Sequence, residues 1–578
     1  FKIADALGVQ ASQIHARAES LNAIGGAALA LLIWWPGDLF DPAFQLTFLS
    51  VLPIALIAAP LLLRMSEVGS WRPTGETPYP PAGPRWFRAF SEALFWSERE
   101  WRAEMAASNI SYRLFKTPVA AKLEQWHVQR FLRFAVLAVV VSASLQVGIA
   151  PLMVIYFHRL SLASLFLNIF VGSLMAMLAF VALAGILVSR ISAWLAWSLI
   201  ALAEKVNWLM THLVDPFNRL GIASMRLPHY SGWSAGVYVL YYVPLGFLIF
   251  ALARWNPLRP VSITKVASRT LSSRKLRFAA ASFIAIFAVI VFHPLSAARP
   301  DGKLHVDFLD VGQGDSALVT MPDGTTLMID GGGRPNMNDP DDGDSDDPFQ
   351  RDTRSIGEGV VSEFLWARGL DRVDYLMPTH ADADHIDGLG DVARNFKVRS
   401  AIVARTPPDD PEYVRFAATM KAAGVAIEKI GAGDIVHFGD VRAEVLWPPP
   451  TADTSALSGN NDGLVVRIRL GERALLFAAD IEKPAENAVL KEGANLRSDI
   501  VKVAHHGSRT SSTPAFVAAT HPSLAVISVG RTSIFGHPNK EVLERWRASG
   551  AAVMTTGERG TISVITDGKN LTVGTFVH

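Results

Sequence analysis

At 578 residues the chain exceeds what one hydrophobic core can organise, and its composition is 50% hydrophobic and 19% charged, with a mean hydropathy of +0.26. A net charge of +1 gives no indication of a polyanionic partner. The absence of cysteine excludes disulfides and thiolate metal ligands, so any metal must be held by His, Asp, Glu or Asn.

These averages conceal a division near residue 295: long apolar runs precede it, and a water-soluble pattern follows. The first residues, Phe1-Lys2-Ile3, read as the interior of a domain, and the expectation is a C-terminal portion of a longer protein. Windows able to span a bilayer, which needs about 20 mostly apolar residues, fall at 20–36, 44–63, 131–150, 162–189, 233–253 and 278–294. The stretch 66–130 mixes charges with Trp86, Trp96, Trp101 and Trp126, which suits helices capping the bundle or lying at headgroup level. Segment 194–214, with Glu204, Lys205 and Asn207, reads as an interfacial amphipathic helix. The loop between the last two windows carries Arg254, Arg259, Lys265, Arg269, Arg274, Lys275 and Arg277 without an acidic residue. Such a loop prefers the cytoplasm, which would put everything after about residue 297 on the extracytoplasmic side.

From Lys303 onward short strands alternate with helical stretches, a pattern that implies a layered α/β domain over 298–578 following a polytopic helical membrane domain over 1–297. The chemistry sits just after the strands. Following the strand at 373–378, His380, Asp382, Asp384 and His385 put four potential ligands into six residues. Asp480 follows ALLFAA, where a carboxylate could bridge two divalent ions about 3.5–4 Å apart. His505-His506-Gly507-Ser508 follows IVKVA, and strand alternation lets only one of the two histidines point into the site. The residues leave that choice open; the working assignment puts His505 with the metals. His506 and Ser508 then face substrate, together with His537 of the Gly-His-Pro turn and Asp384, which serves either as ligand or as base. Asn460-Asn461 reads equally well as an Asx turn. The acidic run 336–347 (NMNDPDDGDSDD) has no closing Glu for an EF-hand and reads as a solvated insertion.

The cluster at 380–385, with Asp330, Asp480 and the His-His-Gly-Ser run, resembles the metallo-β-lactamase superfamily. The ordered set D-V-G-Q-G-D-S (310–316), T-H-A-D-A-D-H (379–385), N-N (460–461), H-H-G-S (505–508) and G-H-P (536–538) resembles, more narrowly, the ComEC family of DNA-uptake channel proteins. Upstream, Phe44-Gln45-Leu46-Thr47-Phe48 and the run 149–189 resemble that family's membrane core, with 66–130 as an apparent insertion. Asp382 stands where the superfamily usually has a second His, Ala478-Ala479-Asp480 replaces the usual T-G-D, and Gly463 stands where a Ser commonly follows the Asn pair. The resemblance implies an αββα sandwich binding two divalent ions, Zn²⁺ or Mn²⁺, with carboxylate ligands favouring the harder ion. It further implies an inner-membrane channel that imports one DNA strand of single- or double-stranded DNA while a nuclease degrades the other. The bilayer, competence-machinery proteins and further copies of the chain are the implied partners. Two rival expectations are a membrane-anchored hydrolase of a small ester, amide or lipid, and a channel with a catalytically silent appended domain.

Overall fold

The computed structural model describes residues 11–72, 77–97, 99, 118–258, 273–296, 300–334, 355–405, 409–449 and 459–577. The acidic run 336–347, residues 100–117 of the expected insertion and residues 259–272 of the basic loop lie outside the described residues. Two compact units emerge, Phe1–Leu227 with Gly232–His293, and Pro228–Ser231 with Pro294–His578.

In the first unit, five helices among the described residues are long and apolar enough to cross a membrane: α1 (Pro42–Gly69), α2 (Gln129–Phe157), α3 (Ser164–Ser189), α4 (Gly232–Arg254) and α5 (Arg274–Phe292). The chain is therefore a membrane protein by its helices and their composition. The window at 20–36 falls on a shorter apolar stretch, Leu21–Trp34. Helix α1 starts where Asp41 accepts from Ala43 N at 2.6 Å, with Pro42 in the first turn, where a missing N–H costs nothing. Pro53 inside α1 removes one ladder donor, and the next five residues, Ile54–Ala58, wind as a π-turn. This bend meets Gly148 of α2, where a Cβ would lie 1.9 Å from Pro53 Cγ, so only glycine permits the crossing.

Side-chain hydrogen bonds join the helices. Tyr241 Oη donates to Val147 O at 2.7 Å, and Tyr242 Oη to Gly148 O at 3.1 Å. Tyr156 Oη donates to Gln45 Oε1 at 2.9 Å, and Asn168 Nδ2 to Ser142 Oγ at 3.2 Å. In lipid, where apolar surface gives helices no reason to associate, close packing and such bonds carry the association.

The helix Arg85–Phe95 packs on the end of α1, burying Phe87 and Leu94 against Met65 and Val68. Gln129 Nε2 ties it to the start of α2 by donating to Ala93 O and Trp96 O at 3.0 and 2.9 Å. This part of 66–130 is thus a cap on the bundle. Segment 194–214 forms the helix Ala193–His212, which doubles back along α3 with only Ala196 and Val206 buried. Trp194, Trp197 and Trp208 are exposed on it, as are Glu204 and Lys205.

The second unit is a four-layer sandwich. One sheet contains β1 (Leu304–Phe308), β2 (Ser316–Thr320), β3 (Thr326–Gly331), β4 (Arg372–Met377), β5 (Lys397–Val403) and β6 (Ala426–Lys429), flanked beyond β1 by β14 (Ile562–Thr566) and β15 (Leu571–Thr575). The other runs β13 (Ala552–Thr555), β12 (Leu524–Ile527), β11 (Ile500–Lys502), β10 (Arg473–Phe477), β9 (Val465–Leu470), β8 (Val441–Trp447), β7 (Ile435–Phe438). Their facing sides form one core, with Phe308 and Phe477 rings 5.6 Å apart. Helices cover both outer faces: α6 (Ala383–Asn395) and α7 (Pro411–Ala423) on one, and α8 (Lys483–Lys491), α9 (Pro514–Thr520) and α10 (Lys540–Ala548) on the other. Within each sheet the pairs that precede the ligand-bearing loops are parallel: β3 with β4, and β10 with β11. Parallel strands end together, so their following loops converge on one rim.

Candidate metal centre

Four strand ends supply the site. β3 ends at Asp330-Gly331, β4 leads into Thr379-His380 and the N-terminus of α6, β10 leads to Asp480, and β11 leads to His505-His506. Asp330, Ala479, His505 and His506 all adopt left-handed backbone, with φ of 55°, 47°, 51° and 50°. Non-glycine residues hold such conformations at a cost of about 1–3 kcal/mol each, and they cluster where function fixes them. The Asp310–Asp315 loop presses onto the first turn of α6: Asp315 N donates to Asp384 O at 3.2 Å. A Cβ on Gly314 would lie 2.3 Å from that same oxygen, so the Gly-Gln-Gly spacing is a requirement of close approach.

The three buried imidazoles share one orientation. His385 Nδ1–H donates to Asp330 Oδ2 at 2.9 Å, and His506 Nδ1–H to Ser528 O at 2.9 Å. Thr379 Oγ1 donates to Asp330 Oδ2 at 2.8 Å and so receives His380 Nδ1–H at 3.0 Å. Each bond fixes the tautomer and leaves Nε2 as the free nitrogen. All three Nε2 atoms are buried without a hydrogen-bond partner, as is Asp480 Oδ1. Asp480 Oδ2 lies between two of them, 3.4 Å from His385 Nε2 and 3.2 Å from His506 Nε2. Asp384 Oδ2 is 3.4 Å from His506 Nε2.

Among the described residues four overlapping groups have metal-binding spacing. Two of them, His380, His385 and Asp480, and Asp384, His385 and His506, hold the bare Nε2 atoms without drawing on Asp315 or Asp330, which already pair with Lys502 and His385. Bare imidazole nitrogens converging on carboxylates fit divalent cations. Each bare Nε2 could serve as a ligand to such a cation, with Asp480 as a carboxylate beside it.

Charge in this pocket is balanced across the fold. Burial lowers the affinity of His385 for a proton, but Asp480, Asp330 and Asp315 outweigh it and raise its pKa well above 6.5. His506 follows the same pattern, burial opposing and Asp480 and Asp315 prevailing. Burial also works against the Asp480 carboxylate, yet His506, His385 and Lys502 hold its pKa well below the usual range. A cation at the centre thus replaces protons that the carboxylates already attract.

The expected residues divide in the structure. His380, Asp384, His385 and Asp480 come together. The two histidines exchange places relative to the working assignment: His506 enters the buried groups, whereas His505 stands at the rim, its Nδ1 3.4 Å from Glu482 Oε1. The chain leaves β11 in a tight turn with both histidines left-handed, and this turn decides which ring points inward. The Asp382 side chain is 53% exposed and reaches His380 Nε2 only at 3.5 Å, so it lines the cavity outside the buried groups. Ser508 is turned away from the cavity into a turn, its Oγ 3.0 Å from Thr510 Oγ1. His537 lines the cavity, and burial, His505 and His506 lower its pKa. Asn461 Oδ1 accepts from Glu482 N and Ala485 N at 3.2 and 3.4 Å, a structural role at the start of α8.

Three participants lacked an assigned role in the sequence reading. Asp315 sits between His506 and His385, its Oδ1 3.4 Å from His506 Nδ1. Asp330 orients both Thr379 and His385. Lys502 is buried, ion-paired with Asp315, and 3.5 Å from Asp480 Oδ1. A lysine inside the apolar strand Ile-Val-Lys-Val-Ala was the visible signal, since a buried ammonium needs a carboxylate partner.

Comparison with known proteins agrees with this division. Residues 5–255 match the family model described as Competence protein, and residues 309–531 match that of the Metallo-beta-lactamase superfamily. The chain is 28% identical over 436 residues to ComE operon protein 3 of Bacillus subtilis (strain 168), covering 73% of this chain and 51% of that protein. It is 29% identical over 266 residues to Competence protein ComA of Neisseria gonorrhoeae, covering 46% and 33%. The chain thus spans about half the length of the first and a third of the second. Among solved structures, the metallo-beta-lactamase fold protein YhfI of Bacillus subtilis is similar at 10% identity and a TM-score of 0.29, covering 47% of this chain and 100% of that one.

Proposed function

From the Competence and metallo-β-lactamase matches and the similarity to ComE operon protein 3 and ComA, we propose that the chain is a ComEC-family DNA-uptake protein of the bacterial inner membrane whose soluble unit cleaves phosphodiesters. The metallo-β-lactamase domain supports metal-dependent hydrolysis. The observation that carries the reading is the convergence of the His385 and His506 Nε2 atoms on Asp480, with the bare Nε2 of His380 beside them.

Divalent ions held by His380, His385, His506, Asp384 and Asp480 would supply Lewis acidity toward a phosphodiester and acidify an attacking water. The chain's own groups do the rest. Asp330 and Ser528 hold His385 and His506 in the ligating tautomer. Lys502 neutralises part of the carboxylate charge that would otherwise repel a phosphate. His505 and His537, on the cavity wall, are placed to donate to phosphate oxygens, and Asp382 holds a proton acceptor at the open side. With two carboxylates, Asp384 and Asp480, beside three imidazoles, the proposed ligand set suits Zn²⁺ as well as Mn²⁺.

In this reading the membrane domain spans 1–297, with an insertion at 66–130, and the hydrolase 298–578 lies outside the cytoplasmic membrane. The basic loop at 254–277 supports that orientation. The membrane domain passes one strand, the hydrolase degrades the other, and further copies and competence proteins are partners. Because the chain has no cysteine, Asn256→Cys and Lys569→Cys give single labelling sites. Impermeant maleimide should label position 569 and spare 256 in intact spheroplasts; the reverse pattern overturns the orientation.

For the enzyme, metal content of the purified full chain and cleavage of single-stranded DNA in Mn²⁺ and in Zn²⁺ form the test. His385→Ala should lose bound metal and bring cleavage to background. Cleavage undiminished in that variant would sink the assignment, and cleavage of esters but not DNA would favour a small-ester hydrolase.

A further inference from the structure

The cavity over the metal centre has a volume of about 440 Å³, and its walls differ in chemistry. Acidic residues in its lining are Asp382, Asp384 and Asp480, with Asp410 and Glu412 at the start of α7. Asp410 is fixed there as the helix cap, accepting from Glu412 N and Tyr413 N at 2.9 and 3.0 Å. The loop between β12 and α10 brings an apolar ring to the same cavity. Phe535 lines it and is 47% exposed, and its neighbour Ile534 is 68% exposed.

The ring is backed and braced. It stacks on His537, centroids 6.1 Å apart and planes at 27°, and His537 in turn lies 5.9 Å from the His505 ring. Ser533 Oγ donates to Gln313 Oε1 at 3.2 Å and receives His537 N–H at 3.4 Å, tying the loop to the opposite sheet. A half-exposed aromatic forgoes the stabilisation that burial would give it, and here it stands beside imidazoles in the cavity.

We infer that Phe535, backed by His537, is a nucleobase-stacking subsite for the nucleotide next to the cleaved phosphate. The inference rests on the phosphodiesterase reading above. Glu412 is buried and ion-paired with Arg415, but Asp410 and the carboxylates of the centre repel a phosphate backbone. In this inference the backbone lies beside His505 and His537 and a base falls over Phe535. A base can offer its face to Phe535 only when its neighbours in the stack do not cover it. The subsite therefore selects unstacked, single-stranded segments over duplex.

The test uses the full chain in detergent, with Mn²⁺, on a fluorescent oligo-dT and on an abasic oligomer with the same number of phosphates. Phe535→Ala should raise KM for oligo-dT roughly tenfold, leave kcat within about twofold and leave the abasic oligomer unaffected; Phe535→Trp should restore KM. An equal KM rise on both oligomers, or none on oligo-dT, overturns the subsite. Should wild-type protein cleave neither oligomer, the phosphodiesterase reading falls, and binding by fluorescence polarisation decides the subsite alone. There the base-bearing oligomer must bind more tightly than the abasic one, and Phe535→Ala must erase the difference; equal binding by wild type overturns the inference. An unchanged melting temperature for Phe535→Ala verifies that the fold is intact.

Discussion

The two units use polar side chains in opposite ways. In the membrane unit Tyr156, Asn168, Tyr241 and Tyr242 each donate to a partner on another helix, and these bonds join apolar surfaces that lipid would solvate equally well. In the soluble unit the hydrophobic sandwich is self-sufficient, and the polar groups at its rim are held in place with binding atoms left over. His380, His385 and His506 spend Nδ1 on fixed acceptors and keep Nε2 bare. The same bond thus serves association in one unit and preorganisation in the other, so equal deletions should have unequal consequences.

The largest effect should come from Asp330→Ala, which touches no metal position directly but removes the acceptor of both His385 Nδ1–H and Thr379. Metal affinity, measured by competition with a chromogenic chelator, should fall about 10–100-fold. A change below twofold would mean that the fold, and not the hydrogen bond, sets the tautomer.

In the membrane unit the comparable lever is shape. Gly148→Val forces a side chain into Pro53 and should destabilise the bundle by about 1–3 kcal/mol, read as a lowered unfolding midpoint in detergent. An unchanged midpoint would show that α1 and α2 do not cross this closely. Smaller still is Tyr156→Phe, which removes one interhelical hydrogen bond at about 0.6 kcal/mol. A loss of several kcal/mol would erase the contrast between the units.

The smallest effect concerns pH and an exposed turn. Asp567 accepts from Asn570 Nδ2, Asn570 N and Lys569 N, which lower its pKa from 3.8 to about 2. A depressed carboxylate stabilises the fold above its unfolded pKa, and the contribution is lost as pH falls from about 4 through about 2. Asp567→Ala should therefore lower the thermal midpoint slightly at pH 6, with the deficit shrinking as pH falls toward 2. A deficit undiminished at pH 2 would assign the effect to turn geometry instead of charge.

Much of this architecture is local and so was legible in the sequence. The spans are runs of apolar residues long enough for a bilayer, and four further windows besides 44–63 fall on the long helices. The strand at 373–378 followed by four ligand-type residues marked the metal loop, and Asp480 and the histidine pair lay at other strand ends. Along a strand, alternation tells which residues share a face. It stops telling anything once the chain leaves the strand, and His505 and His506 lie in a left-handed turn beyond β11 where the period of two no longer holds.

Composition and pattern determined by themselves a membrane half, an α/β half and a cysteine-free, His- and Asp-based metal site, because hydrophobic length, periodicity and ligand type are properties of neighbouring residues. Only the tertiary structure decided that His506 and not His505 joins the buried set, that Asp382 faces outward, and that Lys502 meets an Asp315 187 residues away. Those outcomes depend on which loops two parallel strand pairs bring to one rim, and on how buried charges find partners across a sandwich, neither of which is encoded in the spacing of any single segment.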